Sequence, residues 1–288
     1  MKKNQIIRRN SPWIDILSRF TRNKLAMLGV IILCVLIFSS IFANVLAPYG
    51  YDEQITAEAL QGPSIKHPFG TDKFGRDQLS RILYGGRVSL RVGIIAVAVA
   101  LVFGGALGVA AGFIGGKVDS VIMRVMDVLM AVPGMLLAVA IAASLGAGLG
   151  NMMIAIGIGN IPSYARITRA AVLSAKENEY VEAARATGVS NLGIIVRHIL
   201  PNSIAPVIVQ ATLGVASSIT ACAMLSFLGL GAPPTTPEWG GMLSTARDYL
   251  RTEPYMAIFP GLFIMITVFS LNVMGDGLRD AIDPRLKD

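Results

Sequence analysis

The sequence predicts an all-α membrane protein with six transmembrane helices, and three observations predict it. First, 53% of the 288 residues are hydrophobic and only 15% are charged, where a soluble domain carries about a quarter charged residues. Second, the apolar residues gather into runs of span length, and a helix crossing a bilayer needs about 20 of them. Third, lysine and arginine crowd both chain ends, as they do on the cytoplasmic side of membrane spans. The net charge of +7 and mean hydropathy of +0.62 therefore read as a membrane signature, and no nucleic-acid partner is expected. Cys34 and Cys222 fall inside apolar runs with no CxxC spacing, so they read as small buried apolar residues.

Residues 1–24 read as a cytoplasmic tail. Lys2, Lys3, Arg8, Arg9, Arg19, Arg22 and Lys24 are opposed only by Asp15, which places this end inside. Ser11 is suited to cap a helix with Pro12 at its first position. Trp13, Ile16, Leu17 and Phe20 recur at i, i+3, i+4 and i+7, which predicts an amphipathic helix in the inner interface; a partner-binding helix is the alternative.

Residues 25–87 hold the first span and an external loop. Leu25–Leu46 is long for a signal-peptide core and has 24 residues before it, so it reads as a retained anchor. The loop Ala47–Arg87 carries Lys66, Lys73, Arg76, Arg81 and Arg87, against the usual charge asymmetry.

Residues 88–288 hold the remaining five spans. They are expected at Val88–Ile114, Val118–Leu145, Asn151–Ser174, Ile204–Leu230 and Tyr255–Leu278. Six spans return the C-terminus, with Arg279, Arg285 and Lys287, to the cytoplasm, and leave Gly231–Pro254 outside. Gly104, Gly108 and Gly112, four apart, form a stripe that lets two helix backbones approach closely in lipid; the partner helix is either internal or in another subunit. Pro133 and Pro260 remove backbone donors inside their spans and are sites for kinks. Arg124 and Asp127 are three apart and suited to pair on one helical face. Pro162, Arg166 and Arg169 interrupt the fourth span.

Motifs for catalysis are missing. His67 and His198 are the two histidines, expected in loops on opposite sides of the membrane, and there is no HExxH or GxSxG. "AGFIGGKV" resembles a phosphate loop only in Gly116–Lys117: Ala111 and Val118 stand where that motif needs Gly and Ser or Thr. The chain is therefore not expected to bind ATP, a metal or any other cofactor.

One polar stretch stands apart, "EYVEAARATGVSNLGIIVRHILPNS" at 179–203. Tyr180–Thr187 is rich in helix formers, with Glu182 and Arg185 spaced to pair across a turn. Gly188 is placed to close that helix in the left-handed conformation. Ser190 is placed to cap a second helix whose apolar positions are Leu192, Ile195, Val196 and Ile199, and Pro201 is expected to stop it. The reading is a capped helix–turn–helix projecting into the cytoplasm between spans four and five. An interfacial re-entrant loop is the plainer alternative. A mere connector is usually short, whereas a rigid one has the stiffness to carry force, and a short helix in a partner's groove is a common recognition mode.

"EAARATGVSNLGIIVRHILP" (182–201) resembles the EAA loop of ABC-importer permeases, with Glu182, Ala183, Ala184, Gly188, Leu200 and Pro201 at the motif positions. His198 stands where an apolar residue is usual, a departure that resembles the peptide-importer branch. "HPFGTDKFGRDQLSRILYGGRVSL" (67–90), "VDSVIMRVMDVLMAVPGMLLA" (118–138), "YARITRAAVLS" (164–174), "LSFLGLGAPPTTPEWGGML" (225–243) and "GDGLRDAIDPRL" (275–286) are similar to further blocks of the dipeptide/oligopeptide/nickel permease family, specifically its second, C-type subunit.

The resemblance implies a type I ABC-importer fold and a non-catalytic subunit that forms half of a translocation pathway. It implies four kinds of partner: a second homologous permease, cytoplasmic ATPases that use ATP and Mg, an extracytoplasmic substrate-binding protein, and the bilayer of a bacterial or archaeal plasma membrane. The loop 179–201 would dock on the ATPases. Trp239, Gly240 and Gly241 would lie in an external loop facing the binding protein, with the glycines allowing a tight turn. Peptides are the commonest cargo in such systems; nickel, metallophores and glutathione are alternatives. A secondary transporter driven by an ion gradient, or an intramembrane enzyme, is the reading from another class.

Overall fold

The structure, a computed structural model, describes residues 12–282. The expectations that fall on Ser11, the first basic residues, Arg285 and Lys287 lie outside the described residues. Among the described residues every long element is a helix. α1 (Pro12–Arg22) is the expected tail helix and packs along the last helix of the chain. α2 (Lys24–Ile41) follows, its N-terminus capped by Asn23, whose side chain accepts from the Leu25 and Ala26 amides at 3.1 Å. α3 (Ala43–Leu46) extends it by one turn.

α4 (Gln78–Ile114) runs 37 residues, about 55 Å at the usual rise. It begins ten residues before the span expected from hydropathy. Asp77 caps it by accepting from the Ser80 amide at 2.7 Å. The polar first turns, with Arg81, Arg87 and Arg91, hide its start from a reading based on apolar runs.

The third expected span is broken. α5 (Gly116–Met130) and α6 (Gly134–Leu145) meet at 86°. Pro133 is the residue before α6, so the proline separates two helices rather than bending one. α7 (Leu149–Lys176) is continuous through Pro162. The polar insert supplies α8 (Glu179–Ala186) and α9 (Asn191–Ile194), then a π-turn at Ile195–Ile199 leads into α10 (Leu200–Phe227). α11 (Trp239–Ala246) is a short helix that hydropathy does not reveal, and α12 (Tyr255–Ile282) closes the chain.

Four stretches are long and apolar enough to cross a membrane: α2, α4, the run from α9 through α10, and α12; α5 with α6 makes five if the bent pair is one span. α7 is 28 residues long but falls short in apolar character, because Asn151, Asn160, Arg166 and Arg169 lie within it.

α4 and α7 form the centre of the bundle, and the glycine stripe makes their contact. A Cβ on Gly104 would meet the Ile161 carbonyl oxygen at 2.6 Å, one on Gly108 the Ala165 oxygen at 2.5 Å, and one on Gly112 the Val172 side chain at 2.9 Å. The partner helix is therefore internal. One apolar cluster joins Val92 and Ala96 of α4 to Ala138 of α6, Met152 of α7 and Leu225 of α10. Another joins Leu33 of α2 to Ile219 of α10 and Leu271 of α12.

The loop from Ala47 to Asp77 is a compact, hydrogen-bonded body. Arg76 is buried with Asp72 at 2.7 Å and donates to the Pro234 carbonyl at 3.0 Å; Arg81 donates to the carbonyls of Tyr51 and Pro234. Lys66 pairs with Glu58, and Arg87 donates to the Ser40 and Ile41 carbonyls. Four of the five basic residues that contradicted the charge rule are thus held by partners inside the protein.

Candidate functional site

The polar insert is built on a short, firmly closed helix. Glu179 and Glu182 sit in the first turn of α8 and Arg185 in its last, which complements the helix dipole. Gly188 has φ +78°, a left-handed conformation that costs a side chain about 1–2 kcal/mol. The closing hydrogen bonds form a Schellman pair: the Gly188 amide donates to the Arg185 carbonyl and the Val189 amide to the Ala184 carbonyl, each at 3.1 Å. Val189 packs against the cluster that contains Ala184. Ser190 then caps α9 by accepting from the Gly193 amide at 3.3 Å.

The mount is apolar. Val181 and Ala184 of α8, Ile194 of α9 and Ile199 of the π-turn bury against Val172 and Ala175 of α7, with Val109 and Phe113 of α4 alongside. Lys176 donates to the Phe113 carbonyl at 2.7 Å, tying the end of α7 to the end of α4. Each fully buried aliphatic side chain contributes about 1.5–3 kcal/mol, so the insert is fastened to the ends of the two central helices.

Two expectations about the insert are corrected. Its buried face carries Ile194 and Ile199, while Leu192 is 71% and Val196 53% exposed; the stripe Leu192, Ile195, Val196, Ile199 is therefore only partly the packed face. Nor does Pro201 stop the second helix. It occupies the first turn of α10, where no N–H is needed. The π-turn just before it widens the helix, which relieves the clash between the proline ring and the carbonyl four residues back. His198 accordingly lies in a helical turn, not a loop.

Glu182, Ala183, Arg185, Gly188 and Pro201 are each exposed, while Ala184 is buried and Leu200 half-buried. The expected Glu182–Arg185 pair is not formed among the described residues, which leaves the Glu182 carboxylate free at the surface.

The remaining singled-out residues lie at the opposite end of the bundle. Trp239 is 1% exposed; its indole donates to the Ile82 carbonyl at 2.9 Å and its amide to Ser89 Oγ at 3.2 Å. The tight turn expected at Gly240 and Gly241 is instead the first turn of α11, where Glu238 accepts from both amides at 2.8 and 2.7 Å. Gly240 is needed for a close approach: a Cβ there would lie 2.4 Å from Ala223 Cα.

The charges of α5 and α7 are also arranged differently from expectation. Asp127 pairs with Arg166 of α7 at 2.5 Å, not with Arg124. Asp119 is held by Arg169 through two bonds of 2.5 and 2.6 Å. The same arginines that weaken α7 as an apolar span are thus the counter-ions of α5. Their partners are 39 and 50 residues away, beyond the reach of a local pattern.

A family model described as the binding-protein-dependent transport system inner membrane component matches residues 104–288. The chain belongs to this permease family. A second model, the N-terminal TM domain of oligopeptide transport permease C, matches residues 11–63. Together they make the permease a C-type subunit of the dipeptide and oligopeptide class of ABC importers. A dipeptide transport system permease protein of Alkalihalophilus pseudofirmus is 49% identical over 277 residues, covering 96% of this permease and 91% of that protein. A di/tripeptide transport system permease of Pseudomonas aeruginosa is 45% identical, with 96% and 94% covered. A glutathione transport system permease of Escherichia coli is 44% identical, with 96% and 92% covered. Among solved structures, the MetNI methionine ABC transporter in inward-facing conformations superposes with a TM-score of 0.58 at 18% identity, covering 70% of this permease and 97% of that chain. That likeness bears on the fold alone.

Proposed function

We propose that this permease forms half of the translocation pathway of an ATP-driven importer of short peptides. The membrane is crossed six times, by α2 with α3, α4, α5 with α6, α7, α10 and α12. Both termini face the cytoplasm of a bacterial or archaeal cell, and the permease sits in its plasma membrane. A second homologous permease supplies the other half of the path. Separate ATPase subunits bind ATP and Mg, and an extracytoplasmic binding protein delivers the solute to the end that carries the Ala47–Asp77 loop and α11.

The observation that carries this reading is the mount of the polar insert. Its exposed residues, Glu182, Ala183, Arg185 and Gly188, are free for a partner, while its buried face is fixed to α7 and α4 and its chain continues directly into α10. ATP-driven closure of the docked ATPases displaces α8, and α7 and α10 must move with it. Packed elements of this kind shift between discrete arrangements rather than deforming smoothly.

Two variants test the coupling. Glu182→Lys reverses an exposed charge in the first turn of α8, at a fold cost of about 0.3–1 kcal/mol. Gly188→Pro cannot adopt the left-handed angle and also loses the amide bond to Arg185. Both are expected to insert in the membrane and to lose coupled transport, read as peptide uptake alongside ATP hydrolysis. Normal uptake with normal stimulation of hydrolysis by either variant would refute the coupling role.

Glutathione is the second cargo reading, on the strength of the 44% identical relative. Mass spectrometry of the solute retained by the co-purified binding protein decides between the two.

A further inference from the structure

Between α5 and α7 lies a recess of about 470 Å³, lined by Asp119, Ser120, Met123, Asp127, Arg166 and Arg169. Its charges balance, with two carboxylates against two guanidiniums. The recess is open: the side chains of Asp127 and Arg166 are 50% and 45% exposed, and those of Asp119 and Arg169 are 20% and 32% exposed. α5 with α6, and α7, are read above as crossing the membrane, and charges within a crossing segment face a water-filled cavity or protein rather than lipid. By contrast, the exposed positions of α2 and α12 include Val35, Phe38, Ile258 and Phe269, which suit hydrocarbon. The charged side of α5 and α7 is therefore distinguished from the lipid-facing sides.

Resting on the permease reading above, we propose that this recess is a contact point in the substrate path, and that it takes the free ammonium and carboxylate ends of a short zwitterionic peptide. The charges are staggered. Asp119 and Asp127 are separated by about 12 Å of helix rise, and Arg166 and Arg169 by about 4.5 Å. A zwitterion exchanges one internal pair for two external ones: its carboxylate meets an arginine through parallel N–H···O bonds, and its ammonium meets the released aspartate. The number of opposite-charge contacts within the recess rises by one and no net charge is added. A solute with one end blocked leaves one protein charge without a partner. Every unblocked peptide has both termini whatever its side chains, so the recess is blind to sequence within the class.

The test uses the full complex in proteoliposomes. Met123→Cys is treated with a membrane-impermeant methanethiosulfonate, and labelling is measured over the wild-type background from Cys34 and Cys222. The recess is expected to label from the aqueous phase. Excess dialanine is expected to slow labelling several-fold, and N-acetyl-dialanine and dialanine amide are expected to have little effect. Arg166→Gln in the same background should remove the dialanine effect. The double exchange Asp127→Arg with Arg166→Asp, which keeps a pair and guards against misfolding, should retain it. An unlabelled Met123→Cys would make the recess a closed protein interface and overturn the proposal. Equal slowing by free and blocked dialanine, or undiminished slowing in Arg166→Gln, would overturn it as well. Wild-type uptake separates the two readings. Dialanine import with an inaccessible or undiscriminating recess removes this inference alone, whereas a complex that imports no peptide removes the peptide reading, while labelling still reports whether the recess faces water.

Discussion

Gly188 carries a disproportionate share of the insert's geometry. No heavy atom lies within 4 Å of a Cβ built there, so space does not demand glycine; the φ of +78° does. Gly188→Ala should cost about 1–2 kcal/mol of local stability and leave partial coupling, read as a reduced uptake rate per ATP, where Gly188→Pro abolishes it. This residue and Ser190 were legible in the sequence because a helix stop and a helix cap are local events.

His67 was not legible. It is buried between Asp77 Oδ1 and Glu58 Oε2, both at 2.9 Å, and is stacked on Tyr49. Burial alone would depress its pKa, but the two carboxylates together outweigh burial and raise it above 6.5. Its contribution to the loop is therefore fully present below about 6.5 and is lost as pH rises through the raised value. Glu58 behaves oppositely: Lys66 and then His67 hold its pKa below 4.5, so its contribution fades only on acidification through that lowered value. Hydrogen exchange in residues 47–77 should accelerate from pH 6 to pH 8.5 by more than its intrinsic pH dependence, and His67→Gln should remove the excess.

Among the elements, the pairing of α4 with α7 is the most demanding sterically. The spacing of Gly104, Gly108 and Gly112 showed that some helix comes close, but which helix depends on the whole bundle. Gly108→Ala places a methyl 2.5 Å from a backbone oxygen, which has no flexible side chain to yield, and should cost about 1–3 kcal/mol. Gly105→Ala, one position after Gly104 and with nothing within 4 Å, should be near neutral. Thermal stability of the detergent-solubilised complex compares them; equal losses would contradict the packing.

The element boundaries that sequence placed poorly share a cause. The early start of α4, the helix α11 and the entry to α10 are all set by side-chain caps or by proline geometry in polar segments, where hydropathy carries no signal. Pro133 was correctly singled out, but the size of the break depends on what α6 packs against, and that is a tertiary matter.

For the whole molecule, the order of apolar runs and polar connections revealed the class of protein and the place of the polar insert. The cross-bundle relations did not appear there: the Asp119–Arg169 and Asp127–Arg166 pairs and the buried arginines of the loop. These depend on residues brought together from distant segments, and helix periodicity says nothing about which faces meet.

Reconstitution tests the importer assignment most directly. The tagged chain is purified gently with whatever accompanies it, placed in proteoliposomes, and assayed for dialanine uptake with and without ATP and binding protein. ATP-dependent uptake by a complex holding a second permease and ATPases is the predicted result. A chain that purifies alone and moves solute on an ion gradient without ATP would contradict the assignment.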